Sequence, residues 1–153
     1  FVVTGQSWYD REWSTSLLEK NQVGWDWFAI QLEDGSDLML FQLRNPDGTP
    51  NFSSGTFVAA DGTSNQLKVG DFSLETQKTW KSPKTNASYP ISWAAKVPKF
   101  GLDLQIAAAQ RDQELRLPIM NYWEGAIDVS GSHKGVGYLE LTGYAGKVRG
   151  LSE

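Results

Sequence analysis

Apolar and polar residues alternate along most of the chain, and clusters such as NPDGTPN, DGTSN and KSPKTNAS break the alternation at short intervals. A strand turns successive side chains to opposite faces, so a period of two marks strands with one buried face; a helix needs a period near 3.6. The pattern predicts strands over 8–13, 25–33, 37–44, 54–60, 71–80, 90–97, 102–109, 121–130 and 135–144. Only STSLLEKNQ (14–22) reads as helical, with Ser14 or Ser16 as its N-cap. Many strands joined mostly by short turns specify an antiparallel sheet, and closure into a barrel would remove its exposed edges. The expected fold class is all-β: an antiparallel β-barrel with at most one or two short helices.

Three hairpins carry a predicted register. In WDWFAIQLEDGSDLMLFQLR, Asp34-Gly35 signals a two-residue type I′ turn. Glu33 then faces Ser36, Ile30 faces Met39 and Phe28 faces Phe41. One face, Phe28, Ile30, Leu32, Met39, Phe41 and Leu43, is core; the other holds Trp25, Trp27, Ala29, Gln31, Leu38, Leu40, Gln42 and Arg44. Aromatics mixed with amides and a cation suit a ligand-facing wall, or equally a second packing face whose long side chains reach water. In ISWAAKVPKFGLDLQIAAA, a loop over Pro98 to Gly101 sets Val97 against Leu102, Ala95 against Leu104 and Trp93 against Ile106. Lys96 then meets Asp103 on the opposite face. In YWEGAIDVSGSHKGVGYLELTGY, a turn centred near Ser132 puts Trp123, Ile127, Val129, Leu139 and Leu141 on one face. The other face then sets Glu124 directly opposite Glu140, flanked by Tyr122, Tyr138 and Thr142. Opposed like charges cost energy, so this pair calls for solvation, a partner cation or a shared proton.

The stretch GQSWYDREWS (5–14) concentrates charge between indole rings. On a strand, Trp8, Asp10 and Glu12 share one face and Tyr9, Arg11 and Trp13 the other. Arg11 cannot pair with its neighbours on a shared face, so it is expected to join an acid from another strand, Glu140 first. At least one of Asp10 and Glu12 is expected to point into the barrel mouth as the principal acid, with a buried salt bridge as its alternative role.

Composition removes several functions. At 153 residues the chain is one domain of ordinary size. Its net charge of -4 comes from 18 acids and 14 bases without a basic run, so no nucleic-acid partner is expected. No apolar run approaches the ~20 residues of a membrane helix. There is no cysteine, hence no disulfide, thiolate site or cysteine nucleophile, and the one histidine, His133, sits in the turn-like SGSHKG. A histidine-based metal site or Ser–His–Asp triad is not expected, and no metal or other cofactor is called for. No GxSxG elbow occurs, since Ser7 in GQSWYD lacks the second glycine and a nearby histidine. GDFSLE has no phosphate-loop lysine, and neither DGSD nor PDGT continues into a calcium loop. The first residue is Phe1 and no signal peptide is visible, which reads as a processed or trimmed N-terminus.

Together, GQSWYDREW, GWDWFAIQLEDGSDLMLFQLR and YWEGAIDVSG…GYLELTGY resemble the AttH-like/carotenoid hydratase family, in the family's order and at family-like spacing. The resemblance implies a lipocalin-like (calycin-type) barrel, a fold this family commonly carries twice in tandem. It looks like the C-terminal barrel: 1–14 resemble the segment leaving a preceding barrel, and 15–153 the lipocalin-like domain. No preceding barrel stands in these residues, so a second lipocalin-like barrel, in the same protein or another chain, is the implied partner. The implied function is binding of an apolar small molecule (isoprenoid, polyene or lipid-like) in the barrel. The alternatives are part of an enzyme acting on an isoprenoid double bond, as a hydratase-type lyase or cyclase, or a structural half of a two-barrel protein. The family also includes members with no established reaction, and the resemblance favours a periplasmic or secreted location.

Hydration protonates a double bond, so it needs an acid held neutral in an apolar pocket and aromatic faces beside the carbocation. Asp10 and Glu12 are the catalytic candidates. Trp8, Trp25, Trp27, Gln42, Arg44, Glu124, Tyr138 and Glu140 are the ligand-binding candidates.

Overall fold

A computed structural model describes residues 1–11 and 18–146. Its strands are β1 (Gly24–Leu32), β2 (Asp37–Arg44), β3 (Pro50–Val58), β4 (Ser64–Leu67), β5 (Ser73–Lys81), β6 (Ser88–Val97), β7 (Leu102–Ala108), β8 (Glu114–Arg116), β9 (Asn121–Gly131) and β10 (Gly135–Leu141). All pairings are antiparallel, in the order β4-β3-β2-β1-β10-β9-β7-β6-β5, with β8 attached to β9. The all-β lipocalin-like expectation holds, and among the described residues there is no α-helix, only a 3-10 turn over Pro98–Phe100. Among the described residues no helix is long and apolar enough to cross a membrane.

Strand twist curls so long a sheet, and the curl brings the inner faces of distant strands together as a half-barrel. Phe28 of β1 meets Trp93 of β6 edge to face, with centroids 5.4 Å apart. Phe57 of β3 stacks on Phe100 at 4.1 Å. Between them Ile30, Leu38, Leu40, Leu104, Ile106, Trp123, Ile127, Leu139 and Leu141 are essentially inaccessible, so the interior is filled by one contiguous apolar cluster.

Two of the three predicted hairpins form as read. Val97, Ala95 and Trp93 pair with Leu102, Leu104 and Ile106, and Lys96 pairs with Asp103, whose ion pair spans 3.2 Å. Glu124 stands opposite Glu140, with Trp123 opposite Leu141. The first hairpin is corrected by one residue. Its loop has three residues, Glu33 to Gly35, closed by Leu32 N–H to the Ser36 carbonyl at 2.9 Å and Gly35 N–H to the Leu32 carbonyl at 3.0 Å. Gly35 takes φ 85°, and the Asp34 carboxylate accepts from both the backbone and the hydroxyl of Ser36, at 2.9 and 2.6 Å. A loop with glycine in this left-handed position makes a bulged three-residue turn instead of a type I′ pair.

The extra residue flips β2, because a slip of one sends every side chain to the other face. Ile30 therefore pairs with Leu38, Phe28 with Leu40 and Asp26 with Gln42. Leu38, Leu40, Gln42 and Arg44 turn inward, while Met39, Phe41 and Leu43 are only half-buried on the outside.

The predicted strand over 8–13 does not form across residues 8–11, and Glu12 and Trp13 lie outside the described residues. The helix over 14–22 is not helical where it is described. Leu18 is a buried bridge residue, and Glu19 to Gln22 form a turn closed by Gln22 N–H to the Glu19 carbonyl at 2.9 Å. The Gln22 side chain competes for the backbone by accepting from Glu19 N–H at 2.8 Å. Ser14 and Ser16 lie outside the described residues.

Candidate functional site

β1 pairs with β10 and β10 with β9, which sets Trp27 beside Glu140 and Glu140 beside Glu124 in one row across three strands. On each strand these residues alternate with core positions, so the row lies on the outer face of the sheet. Ala29 with Tyr138 and Gln31 with Val136 extend the same face. Residues 6–10, which form no strand, lie across it. The result is a cleft of about 510 Å³ with Trp8 and Asp10 on one side and Trp27, Ala29, Glu124, Val136, Tyr138 and Glu140 on the other.

Trp8 and Trp27 meet edge to face, with centroids 6.1 Å apart and planes at 80°. The Trp25 indole donates to Glu140 Oε1 at 3.2 Å. The Tyr122 and Tyr138 hydroxyls lie close enough to the Glu124 carboxylate to feel its charge. Burial, then the approach to Glu124 and the charges of Glu124 and Glu140, push the Tyr122 phenol up to about 12. Tyr138 moves the same way, again with burial as the first cause. Both phenols are neutral donors at any ordinary pH.

The cleft therefore brings together Trp8, Asp10, Trp27, Glu124, Tyr138 and Glu140, with Trp25 at its edge through Glu140. Asp10 is exposed and faces this outer cleft instead of a barrel mouth. Glu12 lies outside the described residues. Gln42 and Arg44 do not join Trp25 and Trp27, because the three-residue turn sends them through the sheet to its inner face.

There they meet Asp26, a residue the sequence reading passed over. Asp26 is fully buried and receives Arg44 Nε at 3.1 Å, Gln42 Nε2 at 2.7 Å and the Tyr144 hydroxyl at 2.9 Å. Burial holds its carboxyl above the usual range despite these partners. Arg44 Nε approaches by charge without hydrogen-bond geometry, while Nη2 donates to the Thr142 carbonyl and the guanidinium lies 3.8 Å over the Tyr144 ring. The signal was present, since Asp26 is in phase with Phe28, Ile30 and Leu32.

A second cluster ties β8 down. Glu114 accepts from Ser82 Oγ at 2.7 Å, from Thr85 Oγ1 and from the Tyr89 hydroxyl at 2.9 Å. Burial pushes its carboxyl up, but the bonds from Thr85, Ser82 and Tyr89 and the charge of Arg116 outweigh this and leave it below its usual range.

Between β7 and β8 the Gln113 carboxamide stands in for a missing strand residue. It accepts from Ala126 N–H at 3.1 Å and donates to the Ala126 carbonyl at 3.4 Å, while the Gln113 carbonyl accepts from Glu124 N–H at 3.3 Å. Gly125 leaves the room, since a Cβ there would lie 2.1 Å from the carboxamide carbon. This latch holds the backbone of Glu124 in the cleft. Among the described residues, no three His, Asp or Glu side chains are placed to hold a metal ion.

The sequence model of the AttH-like family matches residues 1–144. A kievitone hydratase from Fusarium solani subsp. phaseoli is 24% identical over 128 residues, covering 82% of this chain and 36% of that protein. Among solved structures, an AttH from Nitrosomonas europaea superposes with a TM-score of 0.78 at 36% identity, over 86% of this chain and 42% of the other. A kievitone hydratase from Nectria haematococca superposes with a TM-score of 0.65 at 21% identity, over 82% and 40%, a likeness of fold. The chain thus spans 36 to 42% of the length of these relatives.

Proposed function

Since the chain belongs to the AttH-like family, we propose that it binds an apolar small molecule, isoprenoid, polyene or lipid-like, in the outer cleft. The observation that supports this reading is the cleft of about 510 Å³ in which the Trp8, Trp27 and Tyr138 rings, Ala29 and Val136 adjoin a polar side of Asp10, Gln31, Glu124 and Glu140; a concave site that joins apolar walls to polar groups able to orient a ligand is what small-molecule binding needs. The interior is occupied by side chains, which favours the sheet's outer face over the barrel as the ligand's place. We infer that a second lipocalin-like barrel, in the same protein or another chain, covers this face, whose Tyr138 and Val136 are 40% and 51% exposed.

The hydratase relative favours a second reading, alkene hydration in the same cleft. A carboxyl, with Asp10 and Glu12 as first candidates, gives its proton to an alkene carbon. Water adds to the resulting cation, and the proton it sheds returns to the carboxylate. The indole faces of Trp8 and Trp27 stabilise the positive charge between these steps. No cofactor is consumed.

A tryptophan emission titration tests the binding reading. Retinol or another polyene should quench the emission saturably, and Trp27→Ala should reduce the quenching. No response in either protein across several apolar ligands refutes it, and leaves the domain a structural half of a two-barrel protein.

A further inference from the structure

β8 and the start of β9 form a hairpin that outruns the sheet. The ladder between β9 and β10 stops at Trp123, and from there to the turn β9 is paired with β8 alone. The hairpin reverses at Pro118 and Ile119, where Leu117 N–H donates to the Met120 carbonyl at 3.0 Å. Leu115 and Leu117 are exposed there, and Ile119 is 66% exposed. Alternation accounts for the direction of β8. Glu114, opposite Trp123, points inward to the Tyr89 hydroxyl, so Leu115, opposite Tyr122, points out. Three large aliphatics clustered within five residues at a turn mark a contact surface.

Cations surround the tip. The Glu114 carboxylate takes the hydroxyls of Ser82 and Thr85, which sets the turn over 82–87 beside β8. Lys81, Lys84, Arg111 and Arg116 are exposed on these two turns and their approaches, with Asp112 and Glu114 as the acids among them, in a chain whose net charge is -4. Among the described residues the ion pairs lie elsewhere. Asp47, on the turn between β2 and β3 at the same end of the strands, is separated from β9 by β1 and β10.

The chemistry of the partner follows from the shape. Three side chains at one turn expose far less than the roughly 1,000 Å² that a stable protein interface buries. A bilayer accepts so small an element, because apolar side chains enter below the headgroups while lysine and arginine meet anionic lipid. Entry requires that backbone polar groups be satisfied or missing, and at this turn Pro118 has no N–H and that of Leu117 is bonded. Tyr122, beside Leu115, is of the type that settles at headgroup level.

We propose that the β8–β9 tip contacts a membrane surface: Leu117 and Ile119 enter the interfacial layer of a bilayer containing anionic lipid, and Lys84 and Arg116 meet its headgroups. The outer face runs from Leu115 through Tyr122 to Glu124 of the cleft, so this contact brings the cleft's near end towards the bilayer, where apolar molecules collect. The contact itself requires nothing of the cleft.

Co-sedimentation with vesicles of phosphatidylcholine, with and without phosphatidylglycerol, tests it. The chain should bind the anionic vesicles about tenfold more tightly than the neutral ones, a gap that narrows as salt screens the lipid charge. Leu117→Ser/Ile119→Ser should weaken binding about tenfold, and Lys84→Gln/Arg116→Gln should close most of the gap. Lys99→Gln/Lys134→Gln removes the same charge at the opposite end of the strands and should leave the gap intact. All these positions are exposed, so urea midpoints should stay near that of the wild type. The chain has no cysteine, so Ile119→Cys carries a single NBD label, whose emission should move to the blue on anionic vesicles. The same label on Lys99→Cys should not respond. Absence of binding to anionic vesicles, undiminished binding of the tip variant, or an equal shift from both labels overturns the proposal. A wild type that ignores vesicles but self-associates, with a monomeric tip variant, makes the tip a protein contact and overturns it too. Retinol quenching without vesicles reports on the cleft alone, so failure of either reading is distinguishable from failure of the other.

Discussion

The Asp26–Arg44 pair invites a double-mutant cycle. Arg44→Met preserves most of the side-chain volume but removes three interactions: the charge 3.1 Å from Asp26, the donor to the Thr142 carbonyl, and the cation 3.8 Å over Tyr144. Asp26 would keep only Gln42 and Tyr144 as donors while remaining fully buried. Removing one partner of a buried pair costs about 3–5 kcal/mol, because the other charge is stranded. Asp26→Leu should cost a similar amount by stranding Arg44. In Asp26→Leu/Arg44→Met neither charge remains, and the residual losses are the orphaned Thr142 carbonyl, Gln42 amide and Tyr144 hydroxyl, each worth about 1–3 kcal/mol. The double variant should therefore lose clearly less than the sum of the two single losses. Urea unfolding followed by tryptophan emission measures all four corners; a double variant whose loss equals the sum of the single losses refutes the pairing. The pH dependence has a fixed sign. Burial already holds the folded Asp26 carboxyl above its usual range, and losing Arg44 raises it further. A raised carboxyl contributes stability that is present below the unfolded value of about 3.9 and lost as pH rises through the folded one. The deficit of Arg44→Met should thus grow from about pH 4 upward and shrink below it.

Trp93→Ala removes a buried indole that meets Phe28 and donates to the Pro90 carbonyl at 2.8 Å, and should cost about 3–5 kcal/mol in the same assay. A loss near zero would mean the inner face is not packed. Gly125→Ala drives a methyl into the Gln113 carboxamide and should cost about 1–3 kcal/mol, but less in a Gln113→Ala background. Equal costs in both backgrounds would rule out the latch. Glu114→Ala orphans the Tyr89 hydroxyl and should cost about 1–3 kcal/mol near neutral pH. Because the folded Glu114 carboxyl is depressed, its contribution is present above the unfolded value of about 4.3 and lost as pH falls through the folded one. The wild type should lose stability more steeply on acidification than this variant.

Where the sequence reading of the fold held, the information was local. The hairpin over Pro98 to Gly101 is over-determined: apolar pairs on one side and Lys96 against Asp103 on the other exclude a slipped register. The Glu124/Glu140 opposition emerged in the same way, although it is costly, because any slip would have put Tyr138 and Glu140 into the core. The first hairpin misled because both faces of β1 are apolar. Phe28 and Ile30 make one candidate core and Trp25, Trp27 and Ala29 another, so only the turn could set the partner strand. That choice rested on a side-chain contact, the Asp34 carboxylate capping Ser36, which adds the residue that reverses β2. The short strands β4 and β8 carry too few residues to show a period. Side-chain anchors fasten β8 far more than its own sequence does.

Of the ten residues named from sequence, six line one cleft, Trp8, Asp10, Trp27, Glu124, Tyr138 and Glu140, and the place where they meet was not legible. Its row from Trp27 through Glu140 to Glu124 depends on β1 pairing with β10, strands from opposite ends of the chain, and no turn rule reaches that far. Alternation sorts side chains into two faces without saying which face is inside; the register of β2 settles that for β1. Once Asp26, Gln42 and Arg44 are taken inward, Trp25 and Trp27 are left outside. There an indole in open water would lose the burial that aromatic residues otherwise bring. The opening segment resolves this: Trp8 lies against Trp27, and its strand-breaking run of charges sets Asp10 at the margin of the same cleft. The concentration of charge between indoles in GQSWYDREWS is what such a segment needs, with rings to hold it on an apolar face and charges to keep it from pairing as another strand. Tyr9 remains 83% exposed beside Trp8 at 37%, so the cover is partial. An exposed aromatic patch continuous with a lined cleft is the signature of a surface made to receive something else. On the proposed reading the ligand and the second barrel would share this face, and covering it with that barrel is expected to tighten binding of an apolar ligand without altering the fold beneath.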